Sequence, residues 1–129
     1  MKKFFQVALM ALTVVFMASC VAGGSGNYKE GDPAPEIDYN NATVNGIAYD
    51  DEIDACWKTD VTAKFMGFKV SLTYYDWGSE FDIVAIHEQT AWMCAQSGYS
   101  SYRYVSAIDA TKKDYEACKA ADEEAAKNR

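Results

Sequence analysis

The chain has 129 residues, half of them apolar, and carries 12 Lys or Arg against 19 Asp or Glu for a net charge of −7. This acidic balance argues against DNA, RNA and anionic headgroups as general partners, since all three call for a basic footprint. The length allows one small core, which excludes an enzyme with separate cofactor and substrate lobes.

Met1-Lys2-Lys3 is a short basic opening, the stretch 4–16 is apolar apart from Gln6 and Thr13, and the small residues Ala18 and Ser19 follow. That is the layout of an export signal. The run ends at Met17-Ala18-Ser19-Cys20, which resembles the lipobox of bacterial lipoproteins, whose signal peptidase cleaves before a cysteine that carries diacylglycerol. Met17 stands where that family most often has Leu. The resemblance implies a signal peptide over 1–19 and acylation of Cys20, with the membrane engaged through the lipid. Val21, in place of an Asp after the cysteine, implies the outer membrane of the cell envelope. Each buried methylene contributes about 0.8 kcal/mol, so two or three acyl chains would hold the protein firmly. Loss of residues 1–19 takes Lys2 and Lys3 with it, leaving ten basic against nineteen acidic residues and a charge of −9. Two plainer readings are soluble secretion after a cut near Ala22-Gly23-Gly24, and a retained anchor of about 17 residues, at the short limit for a bilayer.

Residues 20–40 read as a lipidated flexible tether, glycine-rich at first and then broken by Pro33 and Pro35, which remove backbone donors. The domain is expected over 41–129. Asn45-Gly46 between Val44 and Ile47 is a tight-turn signal and predicts a short hairpin over 42–49. The acidic run Asp50-Asp51-Glu52-Ile53-Asp54 lacks the glycine of a calcium loop. It reads as a solvated turn with Ile53 tucked inward.

From Cys56 the pattern has period two, with Trp57, Thr59, Val61, Ala63 and Phe65 on one face. Met66-Gly67 interrupts, and Phe68, Val70, Leu72 and Tyr74 resume. Pairing Phe65 with Phe68 keeps every apolar side chain on one side, and a slip by one residue would turn one strand's set into water. Lys64 then faces Lys69, a like-charge pair. Ser79 with Asp82 forms a capping box for a helix over about 80–97 that ends at Gly98. Ile83, Ile86, Thr90, Ala91 and Cys94 form its expected buried face, and Trp92 falls beside the polar side. A β-favouring stretch over 101–108 is expected to join the hairpin. A last helix over about 111–127 starts from a Thr111–Asp114 box, packs near Cys118 and frays beyond Glu123. The fold class is therefore α+β: a small antiparallel sheet built on a hairpin, a helix on one face, a further strand and a C-terminal helix.

Cys56-Trp57, Trp77-Gly78-Ser79-Glu80 and a late cysteine together resemble a domain of small uncharacterised bacterial lipoproteins. The resemblance implies a structural role, in which Gly78 turns the chain and Ser79 caps the helix, and it implies no activity.

Beyond Cys20 there are three cysteines, and export would put them where disulfides persist. Of three pairings, Cys56 with Cys118 is favoured, since one opens the first long strand, the other follows the last strand, and Cys94 sits on the expected buried helix face. Both pairings that use Cys94 stay open.

His87 is the single histidine of the chain. His87-Glu88-Gln89-Thr90-Ala91 lacks the second ligand of a zinc-protease helix, and Cys94 lies about 10 Å along the helix from His87, too far for a dyad. No motif selects a carboxylate pair for hydrolysis. A satisfied boundary histidine near Thr90 is the expectation, with no cofactor, metal or catalytic residue. Nine Tyr and three Trp are many for this length; most can fill a core short of Leu with hydroxyls reaching water, and those left outside suggest binding. Tyr75, Trp77, Trp92, Tyr102 and Tyr104 are the candidate binding residues for a protein or glycan partner. The expected function is a lipid-anchored, non-catalytic binding or assembly module; a glycan-binding surface protein and a small carboxylate-dependent hydrolase are the alternatives.

Overall fold

A computed structural model describes residues 22–25 and 28–128. Cys20 and the expected export signal lie outside the described residues. The protein is α+β, as expected. A four-stranded antiparallel sheet has the order β1-β7-β5-β6, with β1 at Ala22–Ser25, β5 at Ala55–Phe65, β6 at Phe68–Gly78 and β7 at Tyr99–Ile108. A smaller sheet has the order β2-β3-β4, from Ile37–Asp38, Thr43–Val44 and Ile47–Ala48. Two helices follow among the described residues: α1 over Glu80–Gln96 and α2 over Tyr115–Lys127.

The β5–β6 register is the one the alternation predicts, with Phe65 on Phe68, Ala63 on Val70, Val61 on Leu72, Thr59 on Tyr74, and Lys64 facing Lys69. Strand β7 joins the opposite edge of β5 and so makes β5 central. A register shift between Thr62 and Lys64 coincides with a positive φ of 57° at Ser101, the mark of a bulge that re-aims the strand end. The Asn45-Gly46 turn is also present, with both residues at positive φ, as a two-residue hairpin turn of matching twist requires.

Helix α1 begins as the sequence dictates. Ser79 is the N-cap, its hydroxyl accepts from the Asp82 N–H, and the Asp82 carboxylate accepts from the Ser79 N–H. Gly78 leaves room for this, because a Cβ there would come within 2.9 Å of Asp82. The helix ends before Gly98, which takes φ +95°.

The buried arc of α1 departs from the expected one. Phe81, Ile83, Val84, Ala85, His87 and Ala91 are buried, whereas Ile86 is 41 % exposed. Two layers flank this helix. The large sheet takes Ala91 and Cys94 together with Val61, Ala63, Tyr102 and Tyr104, and the small sheet takes Phe81, Val84 and Ala85 together with Ala42, Val44 and Trp57. A wheel drawn for a single covering layer misplaces Ile86. Ile53, expected inside, is also exposed; the backbone at Asp50 is instead fixed by bonds to Glu80 Oε1 and the Phe81 N–H.

The tether expected over 20–40 is corrected most. Residues 22–25 pair with β7, Ala22 opposite Ser106 and Ser25 opposite Arg103, and the chain from Tyr28 onward forms an arm along α1. Trp92 Nε1 donates to the Asp32 carbonyl at 2.7 Å, Gln96 bonds both the Lys29 carbonyl and the Gly31 N–H, and the Tyr28 hydroxyl donates to Glu88 at 2.5 Å. Prolines and glycines give this stretch a linker's composition, while its partners sit some 60 residues away.

Helix α2 crosses the other sheet face. Its N-cap is Asp114 itself, accepting from the Ala117 N–H, while Thr111 bonds Asp109; an aspartate at the cap position outcompetes the expected Thr111 box. The helix continues to Lys127, four residues past Glu123. Cys118 and Cys56 are both buried and form a disulfide with Cα atoms 5.7 Å apart. Cys94 is free.

Closing a loop of this length is worth about 4 kcal/mol in the chain-entropy view. Cys118→Ala should therefore lower the unfolding free energy by about that amount in urea titrations, and Cys56→Ala,Cys118→Ala should cost little more than the single change. A smaller prediction concerns the arm. Trp92→Phe removes the bond to the Asp32 carbonyl, costs about 1 kcal/mol, and should raise hydrogen exchange over 29–36 selectively.

Candidate functional site

The chemistry-bearing side chains gather along the middle of α1, where the helix faces β7 on one side and the arm on the other. His87 is 2 % exposed. Its Nδ1 lies 3.2 Å from the Tyr102 hydroxyl, its ring stacks on Tyr104 at 5.1 Å, and the Tyr74 ring lies tilted to it at 5.9 Å. Nε2 makes no hydrogen bond, with Asp76 Oδ2 at 3.9 Å. Burial pulls the imidazole pKa down to about 4, so desolvation outweighs the attraction of that carboxylate and the ring is neutral at pH 7. The expected boundary histidine is thus a core histidine. Its hydrogen-bond partner is Tyr102, while Thr90 bonds back to the Ile86 carbonyl.

One residue further on, Glu88 accepts from two phenols, Tyr104 at 2.8 Å and Tyr28 at 2.5 Å, and Tyr28 in turn accepts from Asn45 Nδ2 at 3.1 Å. Burial, then the hydrogen bond to Glu88, pushes the Tyr28 pKa up to about 12. Burial and the Glu88 charge raise Tyr104, and burial raises Tyr102. All three therefore stay protonated, and Tyr28 and Tyr104 donate to the carboxylate. The arrangement ties the arm, the small sheet, α1 and β7 through one carboxylate. Cys94, on the same helix, is a thiol whose pKa burial raises, the opposite of an activated nucleophile.

Beside Glu88 the arm leaves a cleft of about 490 Å³ lined by Tyr28, Asp32, Pro33, Pro35, Glu36 and Asn45 among others. It offers carboxylates, a phenol and apolar proline faces, a lining suited to weak polar contacts. Among the described residues no cluster of three or more His, Cys, Asp or Glu could hold a metal ion.

The five aromatic candidates do not converge. Tyr102 and Tyr104 are 4 % and 2 % exposed, core residues inside the α1 face; cross-strand pairing of Tyr104 with Val61 puts them there. Trp92 is half-buried under the arm. Tyr75 and Trp77 point to the α2 face, as pairing with Lys58 and Cys56 requires. Tyr75 lines a groove with Ser71, Leu72, Thr73 and Ala125, and Trp77 meets the Tyr115 ring edge-on at 6.5 Å. Sequence reasoning passed over Glu88 and Tyr28. A tyrosine at the start of a linker-like stretch was the available signal, since an aromatic there needs something to pack on.

The depressed His87 pKa sets a pH window. The unfolded histidine, at about 6.5, takes its proton before the folded one does. Stability is full above pH 6.5 and falls as the pH drops toward about 4, by about 3 kcal/mol at 1.36 kcal/mol per pKa unit. Urea unfolding at pH 7 and pH 4.5 should show this loss for the natural chain and a much smaller one for His87→Gln.

The chain matches no known protein-family model, no curated protein and no solved structure.

Proposed function

We propose that the protein is a lipid-anchored module of the bacterial cell envelope, held at the outer membrane through acylated Cys20 and used for non-catalytic binding or assembly with a protein partner. The observation that carries this reading is the Met17-Ala18-Ser19-Cys20 sequence behind a basic and apolar leader. The disulfide between Cys56 and Cys118 agrees with it, because such bonds persist outside the reducing cytosol. The polar cluster at Glu88 supports a non-catalytic role: both phenols that reach the carboxylate do so as structural donors. A glycan platform has less support than a protein partner, since Tyr102 and Tyr104 are core residues and Tyr75, Trp77 and Trp92 fall on separate surfaces.

Metabolic labelling with palmitate tests the anchor. The natural chain should incorporate label and fractionate with outer membranes, and Cys20→Ser should lose both properties. Unlabelled protein released into the medium from the natural gene would refute the reading. Crosslinking of the membrane-bound protein followed by mass spectrometry should then recover a protein neighbour.

A further inference from the structure

Among the described residues the two most exposed large apolar side chains both lie at the β5–β6 turn. Met66 is 79 % exposed, Phe68 is 76 % exposed and Phe65 is 37 % exposed, the last resting on the Tyr99 ring at 4.7 Å. Met66 also holds φ +53°, a left-handed conformation that favours Asn or Gly over a long apolar side chain. The turn therefore accepts both a backbone cost and an exposed apolar tip. Immediately behind it, Lys64 and Lys69 face each other across the strands, and no acidic residue lies between Asp60 and Asp76. In a chain of net charge −7 this end is locally basic.

We propose that this turn is a second, non-covalent membrane contact, in which Met66 and Phe68 enter the acyl boundary while Lys64 and Lys69 bind lipid phosphates. Charge complementarity selects the occupant. A like-charge pair directly opposite is unfavourable by itself, and a sheet of phosphates answers both ammonium groups at once. The shape agrees, because a convex apolar tip needs a medium that closes around it, as the interfacial region of a bilayer does, with binding set by buried apolar area plus attraction to anionic lipid. The contact rests on the Cys20 reading for its orientation. Val21 alone separates that residue from β1, where Ala22 pairs with Ser106 and Ser106 with Thr59. The tip lies six residues further along β5, about 20 Å at 3.3 Å per residue, so an anchored molecule touching at both places holds its strands oblique to the bilayer.

The test uses the full chain purified from membranes and reconstituted in vesicles of phosphatidylcholine and phosphatidylglycerol with brominated acyl chains. Relative to the natural protein, Phe68→Trp should add blue-shifted emission that the bromines quench, and Met66→Trp should repeat this from the neighbouring position. Ile47→Trp, at the exposed start of β4, should add emission that is not quenched. Lys64→Glu,Lys69→Glu in the Phe68→Trp background should abolish the quenching. Intact mass reports Cys20 acylation separately. An acylated chain that floats with vesicles while Phe68→Trp is quenched no more than Ile47→Trp keeps the anchor and overturns the docking, as would protection of the tip by a protein partner alone. An unacylated chain that is still quenched keeps the docking and discards the anchor, and one that is neither acylated nor quenched discards both.

Discussion

Strand β5 is hydrogen-bonded on both edges, so its side-chain parity is fixed twice, once by β6 and once by β7. That double constraint organises the rest. Trp57, Thr59, Val61 and Ala63 must face α1, and Cys56 must face α2. Polar members of the α1 face are admitted because each has a partner. Thr59 meets the Ser106 hydroxyl at 2.7 Å, and Trp57 Nε1 donates to the Gly78 carbonyl at 3.0 Å. The second bond also holds the end of β6 where Gly78 hands over to the Ser79 cap. Strand parity thus sets where the helix starts and which of its residues meet the sheet.

The fold was legible in the sequence wherever a local rule had a single solution. The β5–β6 register follows from alternation, the Asn45-Gly46 turn from left-handed preference, and the start of α1 from the Ser79–Asp82 box. The cysteine pairing was legible by position, with Cys94 assigned to a buried helix face. Legibility failed where a second layer covers an element. Ile86 belongs to an amphipathic stripe only if one sheet packs on α1, and the small sheet together with the arm rotates the buried arc away from it. The arm was hidden for the same reason, since Trp92, Gln96 and Glu88 supply its order from far along the chain.

The candidate site shows the same division. Two residues read as surface aromatics, Tyr102 and Tyr104, are hydrogen-bonded to polar groups on α1, His87 and Glu88, which period-two counting along β7 alone cannot reveal. His87 and Glu88 sit side by side and play opposite parts. The first is kept neutral among aromatic rings, and the second keeps its acceptor role through two phenols. Buried polar groups of this kind are costly unless paired, so the tyrosines that looked like ligand platforms serve the scaffold. The arm cleft, the Tyr75 groove and the turn at Met66 are the surfaces that remain exposed.

Asn45 carries a consequence for the working lifetime of the molecule. Its side chain accepts from the Glu36 N–H at 3.0 Å and donates to Tyr28, which fastens the small sheet to the arm, yet it precedes Gly46, the neighbour that least hinders cyclisation of an asparagine side chain onto the backbone. Asparagine is among the thermolabile residues. Deamidation would put a negative charge beside Glu36 and leave Tyr28 without its amide donor. Deamidation at this one side chain would therefore loosen the fastening between arm and small sheet while leaving the disulfide and the long strands untouched.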